Sequence, residues 1–306
     1  MPNVTARDIA AVVVLYRPES DAVGNIRASA AQVDRVFVID NTEKPDEALA
    51  TVLGEIPNLT YTSMGDNLGI AAALNVGVAM ARDGGYPWVL TMDQDTCPGE
   101  GMVDALASAA STCEVGRPIG TIGAQRPGQT GRLPHFIGCR ELLMIITAGS
   151  ILNVAVWEQV GRFDESLFID QVDHELCLRM QQAGYAVLSC GEASMSHSIG
   201  DISKHRFLLW KAYTLNHSPI RRYYITRNRF AVIARYGTEF PQFTERQTRY
   251  ARKEFVKMVL FEDHRLAKLL MAWRGYRDFK RGVTGRYAGP TRPSPTPPAA
   301  GSRPRA

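Results

Sequence analysis

The sequence predicts an α/β protein with a mainly parallel sheet flanked by helices, followed by a helical C-terminal extension. Between residues 9 and 93, short apolar runs rich in β-branched residues alternate with helical segments, which is typical of parallel sheets. From Pro219 onward the spacing of apolar residues favours helices. The 306 residues, 45% of them hydrophobic, suffice for one large core with an appendage.

Four apolar runs form the predicted parallel sheet. The predicted strands are Ile9–Leu15, Val36–Ile39, Leu59–Ser63 and Trp88–Met92. An Ala-rich helix is predicted over Ile70–Arg82. Ligands of such sheets bind beyond the carboxyl ends of the strands, so we expect Asp40, Asn67, Asp93 and Asp95 to lie along one edge.

The remainder of the chain becomes regular again only near its C-terminal helices. Further strands are predicted over Ile119–Ala124, Leu142–Ile146 and Ala186–Ser189, and helices over Gln171–Ala183, Pro219–Tyr236, Glu245–Phe261 and His264–Lys280. The tail from Gly289 is rich in Pro, Arg and Ser and is predicted to be disordered. The chain therefore divides into an α/β domain over residues 1–203, a basic helical extension over 204–288 and a tail over 289–306.

Cysteine usage and hydropathy indicate a protein of a reducing compartment. The five cysteines are scattered and form no CxxC pair, so neither a zinc site nor a disulfide framework is predicted. No apolar run reaches the roughly 18 residues of a transmembrane helix. Residues 1–8 lack the features of a secretory signal. We therefore expect a cytoplasmic protein.

Charge is distributed unevenly along the chain. Residues 204–306 carry 23 Lys and Arg against 6 Asp and Glu, a net charge of +17, whereas residues 1–203 carry a net charge of −13. This favours a polyanionic neighbour, an anionic membrane or a nucleic acid, although a solvated helical face has the same composition. The apolar residues of the last helix recur at helical spacing beside cations: Leu266, Leu269, Leu270 and Trp273 beside Arg265, Lys268, Arg274 and Arg277. That pattern suits an interfacial helix and equally a helix docked on the α/β domain.

The first candidate site is Asp93-Gln94-Asp95, directly after a predicted strand. Two carboxylates that flank one residue can share Mg²⁺ or Mn²⁺ with a diphosphate. A solvated turn or a helix N-cap has the same composition, but the position after an apolar strand favours the metal site. The motifs GxGxxG, GxxxxGK[ST] and GxSxG are absent, which disfavours dinucleotide enzymes, P-loop NTPases and serine hydrolases.

Three carboxylates, Asp170, Asp173 and Glu175, lie at the start of a predicted helix. One of them could act as general base for an acceptor hydroxyl, although acidic residues there also favour the helix dipole. Basic and aromatic residues alternate over 221–229, where guanidinium groups suit phosphate oxygens or form the wet face of a helix. His197 alone is more typical of a structural or surface histidine.

Taken in order, these segments resemble the inverting family 2 glycosyltransferases, which have a GT-A fold. The segments that carry the resemblance span about residues 9–200 and are Val14–Tyr16, Val38–Asn41, Asn67–Ala71, Leu74-Asn75, Asp93–Asp95, Gly149-Ser150, Val160–Glu165, Asp173–Arg179, Gly184-Tyr185 and His197. Within the family, Asp93–Asp95, Leu167–Arg179 and Arg221–Asn228 look like the bacterial rhamnosyltransferase branch.

The resemblance implies a role for each matching position. Donor contacts are implied for Tyr16, Asp40, Asn67, Gly69, Asp93 and Arg227, and metal ligands for Asp95 and His197. Asp173 is implied as the general base. The sequence departs from the family at Val172, where a Glu is usual, so Asp170 or Glu175 would have to supply the missing carboxylate. Gln94 is uncharged, which leaves fewer anionic ligands.

The resemblance further implies a reaction. L-rhamnose would pass with inversion from dTDP-L-rhamnose to a hydroxyl of a glycan or a polyprenyl-diphosphate-linked glycan, with Mg²⁺ or Mn²⁺, in cell-surface polysaccharide biosynthesis. The enzyme would be cytoplasmic and peripheral on the inner face of the membrane. The alternatives are a same-fold transferase with a UDP-hexose donor and a non-catalytic nucleotide-sugar or nucleic-acid binding protein. No RNA-binding motif is evident, so no nucleic acid partner is expected.

Overall fold

The computed structural model describes residues 3–126, 136–197, 203–207, 210–214 and 216–289. The strands are β1 (Ile9–Leu15), β2 (Arg35–Asp40), β3 (Leu59–Ser63), β4 (Trp88–Asp93), β5 (Thr96–Pro98), β6 (Ile119–Gln125), β7 (Cys139–Glu141), β8 (Ser150–Asn153), β9 (Ala186–His197), β10 (Ser203–Phe207) and β11 (Trp210–Thr214). The helices are α1 (Ala22–Ala30), α2 (Glu47–Gly54), α3 (Ile70–Asp83), α4 (Met102–Thr112), α5 (Val154–Gln159), α6 (Val172–Gln182), α7 (Pro219–Tyr236), α8 (Pro241–Phe261) and α9 (Arg265–Lys280).

One curled sheet organises the first two thirds of the chain. Its strand order is β3-β2-β1-β4-β8-β6-β9-β5, with β7 added along β9. Strands β1 to β4 pair in parallel, β8 runs antiparallel between β4 and β6, and β5 and β7 pair antiparallel with β9. The predicted α/β class with a mainly parallel sheet is confirmed, and the first and third predicted strands have the predicted bounds.

The sheet is buried on both faces, which explains the apolar character of its central strand. Every residue of β1 is buried, and alternate residues enter two separate hydrophobic clusters. Ile9 and Val13 face one cluster, whereas Ala10 and Val12 face the other. Gly77 of α3 lies directly over Val12, since a Cβ there would stand 2.3 Å from a methyl group of Val12. Because Gly77 has no side chain, α3 packs closely on β1, the strand that leads to the site.

The region before β8 departs from the prediction. Leu142–Ile146 was expected to be a strand, but this apolar run is irregular, and the strand β8 follows it at Ser150–Asn153. The chain turns at Gly149, whose φ of +70° is one that glycine adopts without strain. Thr91 Oγ1 donates to the carbonyl of Thr147 at 2.6 Å and so ties the irregular run to β4. Two apolar residues of this run, Met144 and Ile146, line a pocket, while Leu143 and Ile145 pack against the hydrophobic core.

The cysteines also differ from the expectation. No disulfide was predicted, but the sulfurs of Cys113 and Cys139 are joined, with their Cα atoms 6.1 Å apart. The bond links the end of α4 to the edge strand β7, two elements separated by 26 residues. A sequence with an odd number of scattered cysteines gives no sign of such a single pair, because pairing depends on tertiary proximity.

Helices α7 to α9 form the C-terminal extension, and the hairpin β10–β11 precedes them. Helix α9 packs on α7 at Gly275, where a Cβ would stand 2.4 Å from the carbonyl oxygen of Tyr223. Lys268, one of the cations in the helix predicted to be either interfacial or docked, is 1% exposed, and its Nζ donates to Glu262 at 2.9 Å. Arg222 donates to the other oxygen of Glu262 at 2.7 Å, so a buried ionic network joins the three helices.

Within the described ranges, no helix combines the length and the apolar character that crossing a membrane requires. The predicted tail from residue 289 lies, except for Gly289, outside the described residues.

Candidate functional site

A pocket of about 600 Å³ lies beyond the carboxyl ends of the central strands. Tyr16 follows β1, Asn41 follows β2, Asp93 ends β4 and Asp95 follows it, so the predicted edge of the sheet borders this pocket. The opposite wall comes from the loop before α6, from α6 itself and from α7 and α8. The sheet therefore supplies one half of the site and the C-terminal helices supply the other.

The loop between β3 and α3 is fixed by side-chain amides. Asn41 Nδ2 donates to Asn67 Oδ1 at 3.1 Å, and the same oxygen accepts from the backbone N–H of Gly69 at 3.1 Å. Asn41 Oδ1 accepts in turn from the N–H of Leu68 at 2.8 Å. Arg286 donates to both oxygens of Asp66 at 2.9 and 2.8 Å and holds the outside of the loop. The loop thus presents a preformed polar surface to the pocket.

Gly69 is required by two independent constraints. Its φ is +92°, and a Cβ at this position would lie 2.6 Å from the carbonyl oxygen of Phe168. The next residue, Ile70, donates its N–H to the same carbonyl at 2.8 Å. The absent side chain thus lets the start of α3 contact the loop before α6, which couples the two loops of the pocket.

Gly69→Ala is expected to lower the free energy of unfolding by more than backbone strain alone, because the new methyl group also collides with Phe168. Gly65→Ala is the matched control. Gly65 lies in the same loop at φ +68°, but nothing stands within 4 Å of its Cβ position, so strain alone costs about 1–2 kcal/mol. Urea denaturation of both variants measures the difference, and equal losses would contradict the proposed contact.

Tyr16 is held at the pocket by Gln94. The side-chain oxygen of Gln94 accepts from the N–H of Tyr16 at 2.8 Å, and its carbonyl accepts from Asn25 at 2.9 Å. The residue between the two aspartates therefore has a structural task, namely to join the end of β1 to the turn after β4. No role beyond its missing charge was predicted for Gln94.

The centre of the pocket is acidic. Burial, together with the negative charges of Asp95 and Asp173, raises the pKa of Asp93 to about 7, against a smaller opposing effect of Arg221. Carboxylates crowded so closely favour a divalent cation, because bound positive charge relieves their repulsion, and their hard oxygens suit Mg²⁺ or Mn²⁺. The residues present thus fit a metal, although the described part of the chain contains no preassembled group of three ligands.

The backbone of His197 lies close to these aspartates. In the pairing of β5 with β9, His197 stands opposite Thr96, the residue after Asp95. The side chain of His197 lies outside the described part of the structure. The strand register therefore brings the two predicted metal positions together in the backbone, although they are about a hundred residues apart in sequence.

The three candidate bases have different surroundings. Asp173, the second residue of α6, is half-buried and lines the pocket. Asp170 also lines it, but burial raises its pKa, Arg221 approaches one of its oxygens at 3.4 Å, and the other oxygen is sealed without a partner in the described structure. Glu175 is 2% exposed and accepts from Arg179 and from Tyr236, each at 2.6 Å. Asp173 and Asp170 thus both line the pocket, with one oxygen of Asp170 sealed from it, whereas Glu175 does not line it.

The loop before α6 has an unusual backbone. Phe168, Asp170 and Gln171 have φ values of +66°, +64° and +69°, which side-chain-bearing residues adopt only at a cost. Asn228 of α7 offsets this cost. Asn228 is 1% exposed. Its side-chain amide nitrogen donates to the carbonyls of Leu167 and Ile169 at 2.7 Å each and to that of Asp170 at 3.1 Å.

Arg227 supports the same loop and does not line the pocket. It is 2% exposed and donates to the carbonyls of Leu167 at 3.1 Å and Gly285 at 2.7 Å, while its guanidinium lies over the rings of Tyr223 and Tyr224. The expected donor contact by Arg227 is therefore corrected, because every face of this cation is satisfied inside the fold. Arg221, one turn and a half earlier on α7, lines the pocket instead.

Asp40 is likewise not at the pocket surface. It is 1% exposed, and its two oxygens accept from the N–H of Thr42 at 2.9 Å and from the hydroxyl of Tyr61 at 2.7 Å. Its role is to shape the turn after β2, so that its neighbour Asn41 lines the pocket. Sequence order identified the correct turn but not which of its two polar side chains faces the ligand space.

Comparison with known proteins agrees with this architecture. The model of glycosyl transferase family 2 matches residues 11–141 of the chain. The dTDP-rhamnosyl transferase RfbF of Shigella flexneri is 29% identical over 253 residues, which cover 74% of this chain and 80% of that protein.

Two solved structures show the same fold. The structure of S. aureus TarS 1-349 in complex with UDP-GlcNAc is similar with a TM-score of 0.60 at 15% identity, covering 90% of this chain and 81% of that chain. GalNAc-T7 with UDP, GalNAc and Mn²⁺ is similar with a TM-score of 0.58 at 11% identity, covering 92% of this chain and 57% of that chain. At such identities the likeness concerns the fold alone, and that fold orders the strands around the pocket described above. With its family 2 match over residues 11–141, the protein is a glycosyltransferase with a GT-A fold.

Proposed function

We propose that this glycosyltransferase moves L-rhamnose from dTDP-L-rhamnose to a hydroxyl of a glycan, with inversion at the anomeric carbon, in cell-surface polysaccharide biosynthesis. The proposed donor, dTDP-L-rhamnose, is supported by the similarity to a dTDP-rhamnosyl transferase over 74% of the chain. That length exceeds the family-matched segment of residues 11–141, so the similarity extends beyond the nucleotide-binding half. A β-linked donor would give an α-rhamnoside.

Asp173 is the proposed general base. Its carboxylate removes the proton of the acceptor hydroxyl while that oxygen attacks the anomeric carbon, and the dTDP leaves from the opposite side. Its position in the first turn of α6 suits a carboxylate, since the helix N-terminus favours negative charge. Its own oxygen accepts from the N–H of His174 at 2.8 Å, which orients the carboxylate.

Asp95 and His197 are the proposed ligands of Mg²⁺ or Mn²⁺, with Asp93 beside them. When bound, the cation neutralises charge on the departing diphosphate. The raised pKa of Asp93, about 7, is the observation that supports a cation here. Arg221 adds a fixed positive charge near the same carboxylates and replaces Arg227 in the proposal as the guanidinium for donor phosphate.

The proposed nucleotide pocket consists of Tyr16, Asn41, Asn67 and Gly69. Tyr16 is 38% exposed and offers an aromatic face to the base of the nucleotide. Amides and backbone N–H groups of the Asn67 loop suit the ribose and the first phosphate. These residues stand together at the ends of β1 to β3, on the side of Asp93 where a nucleoside would have room.

The expected response to donor is a metal-dependent rise in melting temperature. A ligand present at one hundred times its dissociation constant stabilises the native state by about 2.7 kcal/mol. dTDP-L-rhamnose with Mn²⁺ or Mg²⁺ should raise the melting temperature by several degrees, and omission of metal should abolish most of the rise. Scanning calorimetry with dTDP-L-rhamnose, UDP-glucose and UDP-galactose measures this.

The alternatives give different results in the same experiment. Stabilisation by a UDP-hexose alone would keep the transferase and replace the rhamnosyl donor. Binding of dTDP-L-rhamnose without turnover on any glycan, together with salt-sensitive binding of RNA, would favour a non-catalytic protein. The pocket-lining carboxylates disfavour nucleic acid at this site, because they would repel its phosphates.

The proposed acceptor is a polyprenyl-diphosphate-linked glycan, and the proposed location is the inner face of the cytoplasmic membrane. Helix α9 supports this: one face docks on α7, while the other exposes Leu266, Leu270 and Trp273 at 83%, 47% and 56%. Arg277 lies 5.1 Å from the ring of Trp273 and adds positive charge to this apolar face. An exposed apolar stripe with adjoining cations suits the surface of an anionic bilayer.

Leu266→Glu with Trp273→Glu is expected to weaken binding to vesicles of anionic phospholipid at least about tenfold, because both apolar anchors are lost. Val52→Glu with Ile137→Glu is the control. It changes net charge by the same amount at two exposed apolar residues away from α9. Vesicle co-sedimentation at low salt measures both, and equal binding by the two double variants would contradict the proposed membrane face.

A further inference from the structure

The pocket has two ends of opposite charge. Its centre holds the carboxylates of Asp93, Asp95 and Asp173, whereas Arg126 and Arg246 line the far side. Sheet order sets this arrangement: Arg126 follows β6, which lies two strands beyond β4, while the nucleotide loops follow β1 to β3 on the other flank. Arg126 is therefore on the flank of the pocket away from the nucleotide loops, and Arg246 belongs to α8, which packs on α6 beside Asp173.

These two cations differ from the other arginines of the pocket. Arg221 is bonded to Asp170 at 3.4 Å, and Arg229 to Glu254 at 2.6 Å. Among the described residues, Arg126 and Arg246 have no carboxylate partner, and both are exposed. Guanidinium groups that face a pocket without a protein partner are available to an anion.

Helix α8 is fixed so that Arg246 faces the pocket. Phe243 and Gln247, on the same face of α8, are buried against α6: the Phe243 ring stands 6.4 Å from that of His174, and Gln247 Nε2 lies 3.5 Å from His174 Nδ1. Arg246 and Tyr250 continue this face at the helical spacing of three to four residues. Both line the pocket, next to the residue that follows Asp173.

We infer that Arg126 and Arg246 form a subsite for an oxyanion of the acceptor, so that the substrate is an anionic glycan. Tyr250, 57% exposed, lies against the apolar face of the accepting sugar. The inference rests on the proposed glycosyl transfer and adds to it a charge requirement on the acceptor. The carboxylates of the centre repel this anion, so the oxyanion of the acceptor is held at Arg126 and Arg246, away from the position proposed for the donor diphosphate.

Binding of small acceptor probes tests this inference. The protein is saturated with dTDP and Mg²⁺, so that the nucleotide loops and the proposed metal site are already occupied and cannot bind the probe. The probes are N-acetylglucosamine 1-phosphate, methyl glucuronide and the neutral methyl N-acetylglucosaminide, followed by NMR titration. We expect at least one anionic probe to bind about tenfold more tightly than the neutral one, which corresponds to one charge-assisted contact. Tight binding of the phosphate alone would indicate a glycosyl phosphate, and of the glucuronide alone a uronic acid.

Arg126→Ala with Arg246→Ala should remove this preference and leave dTDP affinity unchanged. Arg249→Ala is the control, since Arg249 lies on the same helix, pairs with Glu245 and does not line the pocket. Equal affinity for all three probes, or the same loss in Arg249→Ala, would overturn the subsite. Absence of dTDP binding would instead contradict the proposed donor, so the two failures are distinguishable.

Discussion

An Asp173→Asn variant is expected to lose about 10²- to 10⁴-fold in the rate of glycosyl transfer while its affinity for dTDP-L-rhamnose stays unchanged. Asparagine keeps the shape of the side chain but cannot accept the proton of the acceptor hydroxyl. Donor affinity is preserved because the proposed nucleotide contacts lie at the ends of β1 to β3, away from α6. Initial rates and calorimetric titration with donor, made on the same preparation, measure both quantities.

Glu175→Gln is the informative companion to this variant. Glu175 is two residues further along α6, but its carboxylate is buried and bonded to Arg179 and Tyr236. Its loss should lower the free energy of unfolding and leave the turnover of folded protein close to that of the unchanged enzyme. If Asp173→Asn kept more than about a tenth of its turnover, Asp173 would not be the base. Loss of turnover in Asp170→Asn would then identify Asp170, the other pocket-lining carboxylate of the loop.

Local sequence patterns predicted several elements of the fold with their correct bounds. Strands β1 and β3 and helix α7 have the predicted bounds, because their apolar spacing and their capping residues act within a few positions. Ser218 illustrates this, since its hydroxyl accepts from the N–H of Arg221 and Pro219 follows at the first helical position. Such signals need no knowledge of the rest of the chain.

The antiparallel additions to the sheet were not predictable in this way. Strand β8 is four residues long, and the apolar run before it resembles a strand more closely than β8 does. Tertiary pairing decides between them: β8 pairs with both β4 and β6, whereas residues of the Leu142–Ile146 run line the pocket or pack against the core. An irregular segment that packs in this way and a strand have similar hydrophobic compositions.

The candidate site shows the same limit at the level of single side chains. Sequence order identified the turns that surround the pocket, and the structure brings Tyr16, Asn67 and Asp93 to it. Sequence order does not indicate which polar residue of a turn faces the pocket: Asp40 was expected there, but its neighbour Asn41 lines the pocket. Arg227 was misassigned for a related reason: a guanidinium suits phosphate oxygens and buried backbone carbonyls equally, and only the tertiary contacts distinguish the two.

The strongest structural effect is expected at the residue next to Arg227. Asn228→Leu replaces a buried amide by an apolar group of similar size and leaves the carbonyls of Ile169 and Asp170 without this donor. Each buried carbonyl without a partner costs about 1–3 kcal/mol, so the free energy of unfolding should fall by about 2–6 kcal/mol. The loop that carries the left-handed residues Asp170 and Gln171 would relax toward ordinary backbone angles. Urea denaturation measures this loss of stability.

A displaced loop should also reduce catalysis, and in a specific way. Gln171 immediately precedes α6, so relaxation of the loop shifts the helix start and with it Asp173. A misplacement of about 1 Å costs about 10²-fold in rate, so kcat of the folded variant should fall by that factor while dTDP affinity changes little. Thr226→Val is the matched control on α7, because the Thr226 hydroxyl donates only to the carbonyl of Arg222 within the helix. If Asn228→Leu lost stability but kept kcat, the loop would tolerate relaxation without moving the base. A fall in kcat confined to Asn228→Leu would mean that the C-terminal extension acts in catalysis by holding the base loop in its strained form.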